Sequence, residues 1–138
     1  MKKLILILSV AVFMLTGCAS APKRPFMEVA SIPQGKGVVY IYMPSKENYL
    51  NELDVRVDNI EGIGTIAGNL LKGTYVSYMA PVGDNLFRAE KKAVNITVEE
   101  GQSYFVKIKT YKFFGVKIEL TEIDPSAGFV HIKTTQQR

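Results

Sequence analysis

The chain has 138 residues, with 17 Lys and Arg against 13 Asp and Glu and a formal net charge of +4. That length suits one domain with one core, and a single cysteine, Cys18, excludes an internal disulfide. Lys2 and Lys3 fall in a segment expected to be removed; without them 15 basic residues face 13 acidic ones, about +2, which gives no basic surplus for nucleic acid.

The first element is a short basic start followed by an apolar run from Leu4 to Leu15 and then small residues. This order predicts a secretory signal peptide over residues 1–17. The apolar run is about 12 residues, short of the ~20 needed to span a bilayer. Leu15-Thr16-Gly17-Cys18 resembles the lipobox of bacterial lipoproteins. The resemblance implies cleavage before Cys18, a diacylglyceryl thioether on its sulfur and an acylated amino terminus. Two or three acyl chains hold a protein stably on its membrane. Ala19 stands where Gram-negative lipoproteins retained at the inner membrane tend to carry Asp, so the resemblance implies the outer membrane, with the domain facing the periplasm.

Residues 18–35 read as a flexible tether, with Pro22, Pro25 and Pro33 and little periodicity; Phe26, Met27, Val29 and Ile32 are its apolar exceptions. The domain is expected over 36–138. Val38 to Met43 is apolar on both faces and reads as a central strand stopped by Pro44. Lys46 to Glu52 is a polar connection with room for a helical turn. Leu53, Val55 and Val57 alternate with Asp54, Arg56 and Asp58, a half-buried strand; Ile63–Ala67 is its short partner, punctuated by Gly68-Asn69. Tyr75–Met79 forms the next strand, and Ala80–Asn85 a tight connection. Leu86–Lys91, Val94–Val98, Tyr104–Lys109 and Val116–Thr121 follow as alternating strands, with Glu99–Gln102 expected as a hairpin turn and Phe113-Phe114-Gly115 as another. The tail from Asp124 reads as irregular, with a short edge strand at Phe129–Lys133 and no amphipathic helix. About seven or eight short strands with regular turn signals predict an all-β fold, a single antiparallel β-sandwich.

Several of these segments together resemble the bacterial "domain of unknown function 2846" lipoproteins. Gly37-Val38-Val39-Tyr40-Ile41-Tyr42-Met43-Pro44 is similar to that family's opening strand, and Leu53 to Asp58 to its second. Gly73-Thr74-Tyr75 is similar to its glycine-led fourth strand, and Pro81 through Phe87-Arg88-Ala89 to its turn and aromatic strand. Gly101-Gln102-Ser103-Tyr104-Phe105-Val106 resembles its Gly-x-x-Tyr-Tyr-Val strand. Val82-Gly83-Asp84-Asn85 departs from the family's Pro-Gly, polar, His pattern. The resemblance spans about Gly37 to Ile123 and implies a prealbumin-like β-sandwich with no established catalytic activity.

The residues themselves point the same way. His131 is the only histidine, so a triad or zinc site lacks partners, and it reads as a surface or edge residue. Glu99 and Glu100 are adjacent on a strand end and face opposite ways, unlike a catalytic dyad. Gly62, Gly64 and Gly68 have no following helix and no Lys-Ser/Thr, so they form no phosphate loop. Lys91, Lys92, Lys107, Lys109 and Lys112 offer a basic stripe suited to anionic head groups or cell-wall polymers, or simply a solvated face. The best binding lead is the tyrosine set Tyr40, Tyr42, Tyr75, Tyr104 and Tyr111, with Tyr78 beside it, provided the rings share an exposed face. No metal and no cofactor is expected beyond the lipid on Cys18.

The expected function is therefore a non-enzymatic envelope lipoprotein that binds a protein or cell-wall polymer, with edge strands available for β-augmentation. The alternative is an accessory subunit or inhibitor of an envelope machine, using an exposed loop such as Pro44–Asn51 or Lys112–Gly115. An enzyme would require His131, Glu122 and Asp124 to meet in one cleft.

Overall fold

The computed structural model describes residues 24–138; the signal segment, Leu15, Thr16, Gly17 and Cys18 lie outside the described residues. The chain forms β1 (Lys36–Met43), a 3-10 turn (Ser45–Glu47), β2 (Glu52–Asn59), β3 (Gly62–Leu71), β4 (Thr74–Pro81), β5 (Gly83–Ala89), β6 (Lys92–Val98), β7 (Ser103–Lys112), β8 (Val116–Ile123), α1 (Pro125–Ile132) and β9 (Gln136–Gln137). The strands make two sheets, ordered β8-β7-β1-β4-β9 and β3-β2-β5-β6, packed face to face. The expected β-sandwich is the fold.

Two connections read as simple turns are crossings between the sheets. Glu99–Gln102 carries the chain from β6 in one sheet to β7 in the other, where Gly101 N–H donates to Lys36 O (2.9 Å) and Val38 N–H to Gln102 O (2.9 Å). Strand β7 thus begins beside the start of β1 and runs parallel to it, from Val38↔Ser103 to Tyr42↔Lys107. The first sheet is mixed for this reason, not wholly antiparallel; β9 also runs parallel to β4. At Val82 the chain crosses back from β4 to β5. Buried Asn85 secures that corner, donating to Pro81 O (2.9 Å) and Gly83 O (3.0 Å) while accepting from Asn59 Nδ2 (2.9 Å).

The main core lies between the sheets. Val39, Ile41, Met43, Val106 and Ile108 meet Leu53, Val55, Val57, Phe87, Ile96 and Val98. These are the inward sets of the period-2 alternation, which places every second side chain on one face. Strand β1 is different: every residue from Val38 to Met43 is fully buried, so its outer face also needs a cover.

That cover comes from two segments at opposite ends of the described chain. Residues 24–35, two thirds of the expected flexible tether, run across the first sheet. Phe26 packs edge-on against Tyr40 (5.2 Å between ring centroids) and Tyr75 (5.1 Å), with Val29 and Ile32 beside it. The second cover is α1, which replaces the edge strand expected at Phe129–Lys133. Asp124-Pro125 starts this helix: the Asp124 carboxylate accepts from Ser126 N–H (3.0 Å) and Pro125 occupies the first helical turn, where its missing N–H costs nothing. Phe129 and Ile132, three residues apart, share the sheet-facing side. β-branched Val130 and Ile132 favour a strand locally, and docking onto Phe105 overrides that preference.

Strand β3 extends past the expected Gly68-Asn69 punctuation. Instead of ending there it carries an irregularity opposite Val55/Arg56, as an extra residue in one strand produces. Its second half lies against β4, where a Cβ on Gly68 would come within 2.5 Å of Val76 Cγ2.

Candidate functional site

The tyrosine surface predicted from sequence does not form. Tyr40, Tyr42 and Tyr75 are buried under the N-terminal segment and α1. Their hydroxyls hold that cover in place: Tyr40 Oη accepts from Val29 N–H (2.9 Å) and Tyr75 Oη from Met27 N–H (3.1 Å). Burial pushes the Tyr40 hydroxyl above its ordinary range. Tyr104 and Tyr111 are half-buried and used locally. Tyr104 Oη accepts from Glu99 N–H (2.8 Å), and Tyr111 donates to Glu119 Oε1 (3.0 Å), which raises the Tyr111 pKa. The sequence showed that both faces of β1 are apolar, but nothing in that pattern revealed that distant segments would cover the face bearing Tyr40 and Tyr42.

His131 is exposed on α1 and lies 3.3 Å from the Tyr42 hydroxyl through Nδ1. It lines a cleft of about 350 Å³ with Pro44, Glu47, Lys107 and Thr134. Glu122 and Asp124 do not line this cleft, so the grouping that would have supported an enzyme is not assembled there. Asp124 is instead the helix cap, its pKa lowered by the Ser126 hydroxyl and backbone N–H. Within the cleft Glu47 pairs with Lys107 (2.5 Å), whose ammonium holds the carboxyl below its usual range. Burial, with the Glu47 charge behind it, pushes Tyr42 up to about 12. Among the described residues no group of three or more His, Cys, Asp or Glu side chains is arranged to hold a metal ion.

Of the two adjacent acids, Glu100 is occupied: its Oε1 accepts from Gly35 N–H (2.6 Å), closing the turn into β1. The basic stripe divides. Lys107 is paired with Glu47, Lys112 lies 5.9 Å from the Tyr49 ring centroid, and Lys109 lies 5.9 Å from that of Tyr111. Lys91, Lys92 and Lys117 instead line a groove of about 600 Å³ together with Glu90, Leu50, Val116 and Ile118.

Two exposed apolar features remain, at opposite ends of the sandwich. One is the β2–β3 hairpin, where Ile60, Ile63 and Ile66 are 82, 86 and 57% exposed. From Gly62 to Leu71 the strand contains no charge and no proline, and its outer edge has no strand partner among the described residues. Edge strands normally carry such residues to prevent pairing with another chain; here the register shifts along β2 are what blunts the edge. Asp58 braces the hairpin, accepting from Gly64 N–H (2.7 Å) and pairing with Arg88, and both interactions lower its pKa.

The other feature is the β7–β8 hairpin tip, where Phe113 and Phe114 are 62 and 95% exposed. Their rings meet edge-on at 4.9 Å, and Phe114 adopts φ 47°, a conformation unusual for a bulky residue. The sequence reading recognised this segment as a turn and an exposed loop. The signal for more was two adjacent phenylalanines between Lys112 and Lys117. Comparisons of the chain with protein-family models, with curated proteins and with solved structures gave no match.

Proposed function

We propose that this chain is a lipid-anchored, non-catalytic binding module of the bacterial cell envelope, as its resemblance to the domain-of-unknown-function-2846 lipoproteins implies. Its anchor is the acylated Cys18, and its partner is an envelope protein that adds a strand to the free half of β3, Gly62–Ala67. The observation that carries this reading is the β3 edge, which has no charge, no proline and no strand partner among the described residues. This edge lies beside three exposed isoleucines; Gly64 alone is engaged by side chains, its N–H by Asp58 and its C=O by Arg56 (3.0 Å), so an added strand pairs on either side of that point and gains apolar contact with it. The lipobox order supports the anchor.

Two measurements test the proposal. Mass spectrometry of the membrane fraction should find an N-terminal Cys18 peptide carrying the acyl groups; a chain retaining Met1 or an unmodified Cys18 would refute the anchor. A photo-reactive residue at Ile63 should give a discrete crosslinked species in intact cells, and one at Lys133 on the far side should not. Equal labelling from both positions would refute the edge as the binding site. An accessory subunit with one fixed partner would give a single crosslinked mass at saturation.

A further inference from the structure

We infer that the end of the sandwich bearing Phe113 and Phe114 docks on the anionic phospholipid surface that holds the anchor, which fixes the orientation of the domain. The inference rests on the lipid-anchor reading and adds a second, non-covalent membrane contact to it.

Strand register places several features at this one end. Strand β1 finishes there at Met43, paired with Thr74, and Gly73 N–H donates to Met43 O (2.7 Å). Parallel β7 runs on past Tyr42↔Lys107 to its tip at Phe113–Phe114. The groove containing Lys91, Lys92 and Lys117 lies beside that tip. The described chain also enters at this end: Pro25 bridges Gln136, and Gln137 N–H donates to Arg24 O (3.0 Å) beside the Thr74 start of β4.

The entry point sets the reach. Were residues 18–35 free, Lys36 could stand about 60 Å from Cys18. Because residues 24–35 are docked on the sheet, the six peptide steps from Cys18 to Arg24 span at most about 20 Å whatever their conformation. The domain is thus held close to the bilayer with this end nearest.

Charge agrees with that placement. Lys46, Lys72, Lys91, Lys92, Lys112 and Lys117 gather at the entry end against Glu52 and Glu90, with Glu47 already paired to Lys107. At the opposite end, Glu61, Glu99 and Glu100 gather around Lys36, itself paired with Glu61. Lysines close to an anionic leaflet are attracted to it within a Debye length, and acids are repelled. The exposed isoleucines at the acidic end are therefore directed away from the membrane, and the phenylalanine tip toward it. Aromatic side chains flanked by lysine suit the head-group boundary, where an apolar ring and a charged head find different depths.

The full chain, purified from membranes and reconstituted, provides the test. With Cys18 acylated, Phe114→Cys is the only free thiol and accepts an environment-sensitive fluorophore; Glu100→Cys labels the far end. In vesicles of phosphatidylethanolamine and phosphatidylglycerol, the label at position 114 should shift to the blue and resist an aqueous quencher. The label at position 100 should do neither. Pure phosphatidylcholine, or Lys91→Gln combined with Lys92→Gln, should reduce the protection at 114. Equal quenching at both positions on anionic vesicles would overturn the inference. So would protection at 114 that depends on protein concentration in detergent, which would indicate a second copy of the chain. If mass spectrometry finds Cys18 unmodified, the anchor reading fails separately. The same label, on Cys18→Ser chains mixed with the anionic vesicles, then decides the docking surface alone, with no shift overturning it. Circular dichroism of each variant checks the fold, which exposed positions such as 114 should leave intact.

Discussion

Gly128 shows how one missing side chain fixes a tertiary contact. A Cβ there would lie 2.3 Å from Phe105 Cγ, so α1 reaches its docked position only with glycine at this point. In an isolated helix Gly128→Ala would stabilise by roughly 1 kcal/mol. Here overpacking against the ring opposes it, and we expect a net loss of about 1–3 kcal/mol in urea denaturation. An unchanged or higher midpoint would show that α1 can slide away from Phe105. The titrating residues set the pH limits of stability. Tyr42 has a folded-state pKa of about 12, above its ordinary 10.0, so the neutral hydroxyl is the form favoured by folding. Its contribution is complete below pH 10 and is lost as pH rises through about 12. Glu47, Asp58, Asp84 and Asp124 have lowered pKa values, so their contribution is present above their ordinary range near 4 and is lost as pH falls below it. Tyr42→Phe should extend the alkaline limit of the unfolding transition and leave the acid limit in place. Tyrosinate absorbance recorded with circular dichroism would detect the reverse.

Among the elements, the N-terminal segment and β3 make opposite demands. The segment is bound by partly buried side chains and two tyrosine hydroxyls, so Phe26→Ala removes its central contact. Combining partial burial with lost edge-on ring pairs, we expect destabilisation of about 2 kcal/mol. Limited proteolysis should then cut within 24–35 before it cuts the sheets; an unchanged pattern would mean that Phe26 does not hold the segment down. On β3, Ile63→Lys alters a side chain that is 86% exposed. Stability should change by less than about 0.5 kcal/mol, while crosslinking to a partner from a photo-reactive residue placed at neighbouring Ile60, 82% exposed, should disappear. A large stability loss would make Ile63 a folding residue, and persistent crosslinking would move the binding site elsewhere. The element pattern also shows how far local sequence reached. Alternation located β2 and β5 through β8 because each has one core face and one solvent face. It misassigned α1, whose start signal, Asp124-Pro125-Ser126, is short and is followed by residues that prefer strands. It also could not distinguish a hairpin turn at Glu99–Gln102 from a crossing between sheets, since both need the same turn residues.

For the molecule as a whole, the ends differ more than the faces. One end is basic, carries the exposed phenylalanines and holds the start of the described chain at Arg24; the other is acidic and carries the exposed isoleucines. Raising salt should weaken the protection of a label at position 114 and leave partner crosslinking at Ile63 unaffected, because only the first contact relies on attraction between lysine and an anionic surface. The sequence by itself determined that the chain is an all-β sandwich, because strand periodicity and turn chemistry are local properties written every few residues. The same local reading showed the apolar character of both faces of β1. Only the tertiary structure decided what covers the second face: residues 24–35 and α1, about a hundred positions apart in sequence, meet over Tyr40 and Tyr75. It likewise decided that six scattered lysines and two phenylalanines share an end with the chain's entry point. Those groupings depend on which strands become neighbours and in which direction they run, and spacing along a single chain carries no record of that.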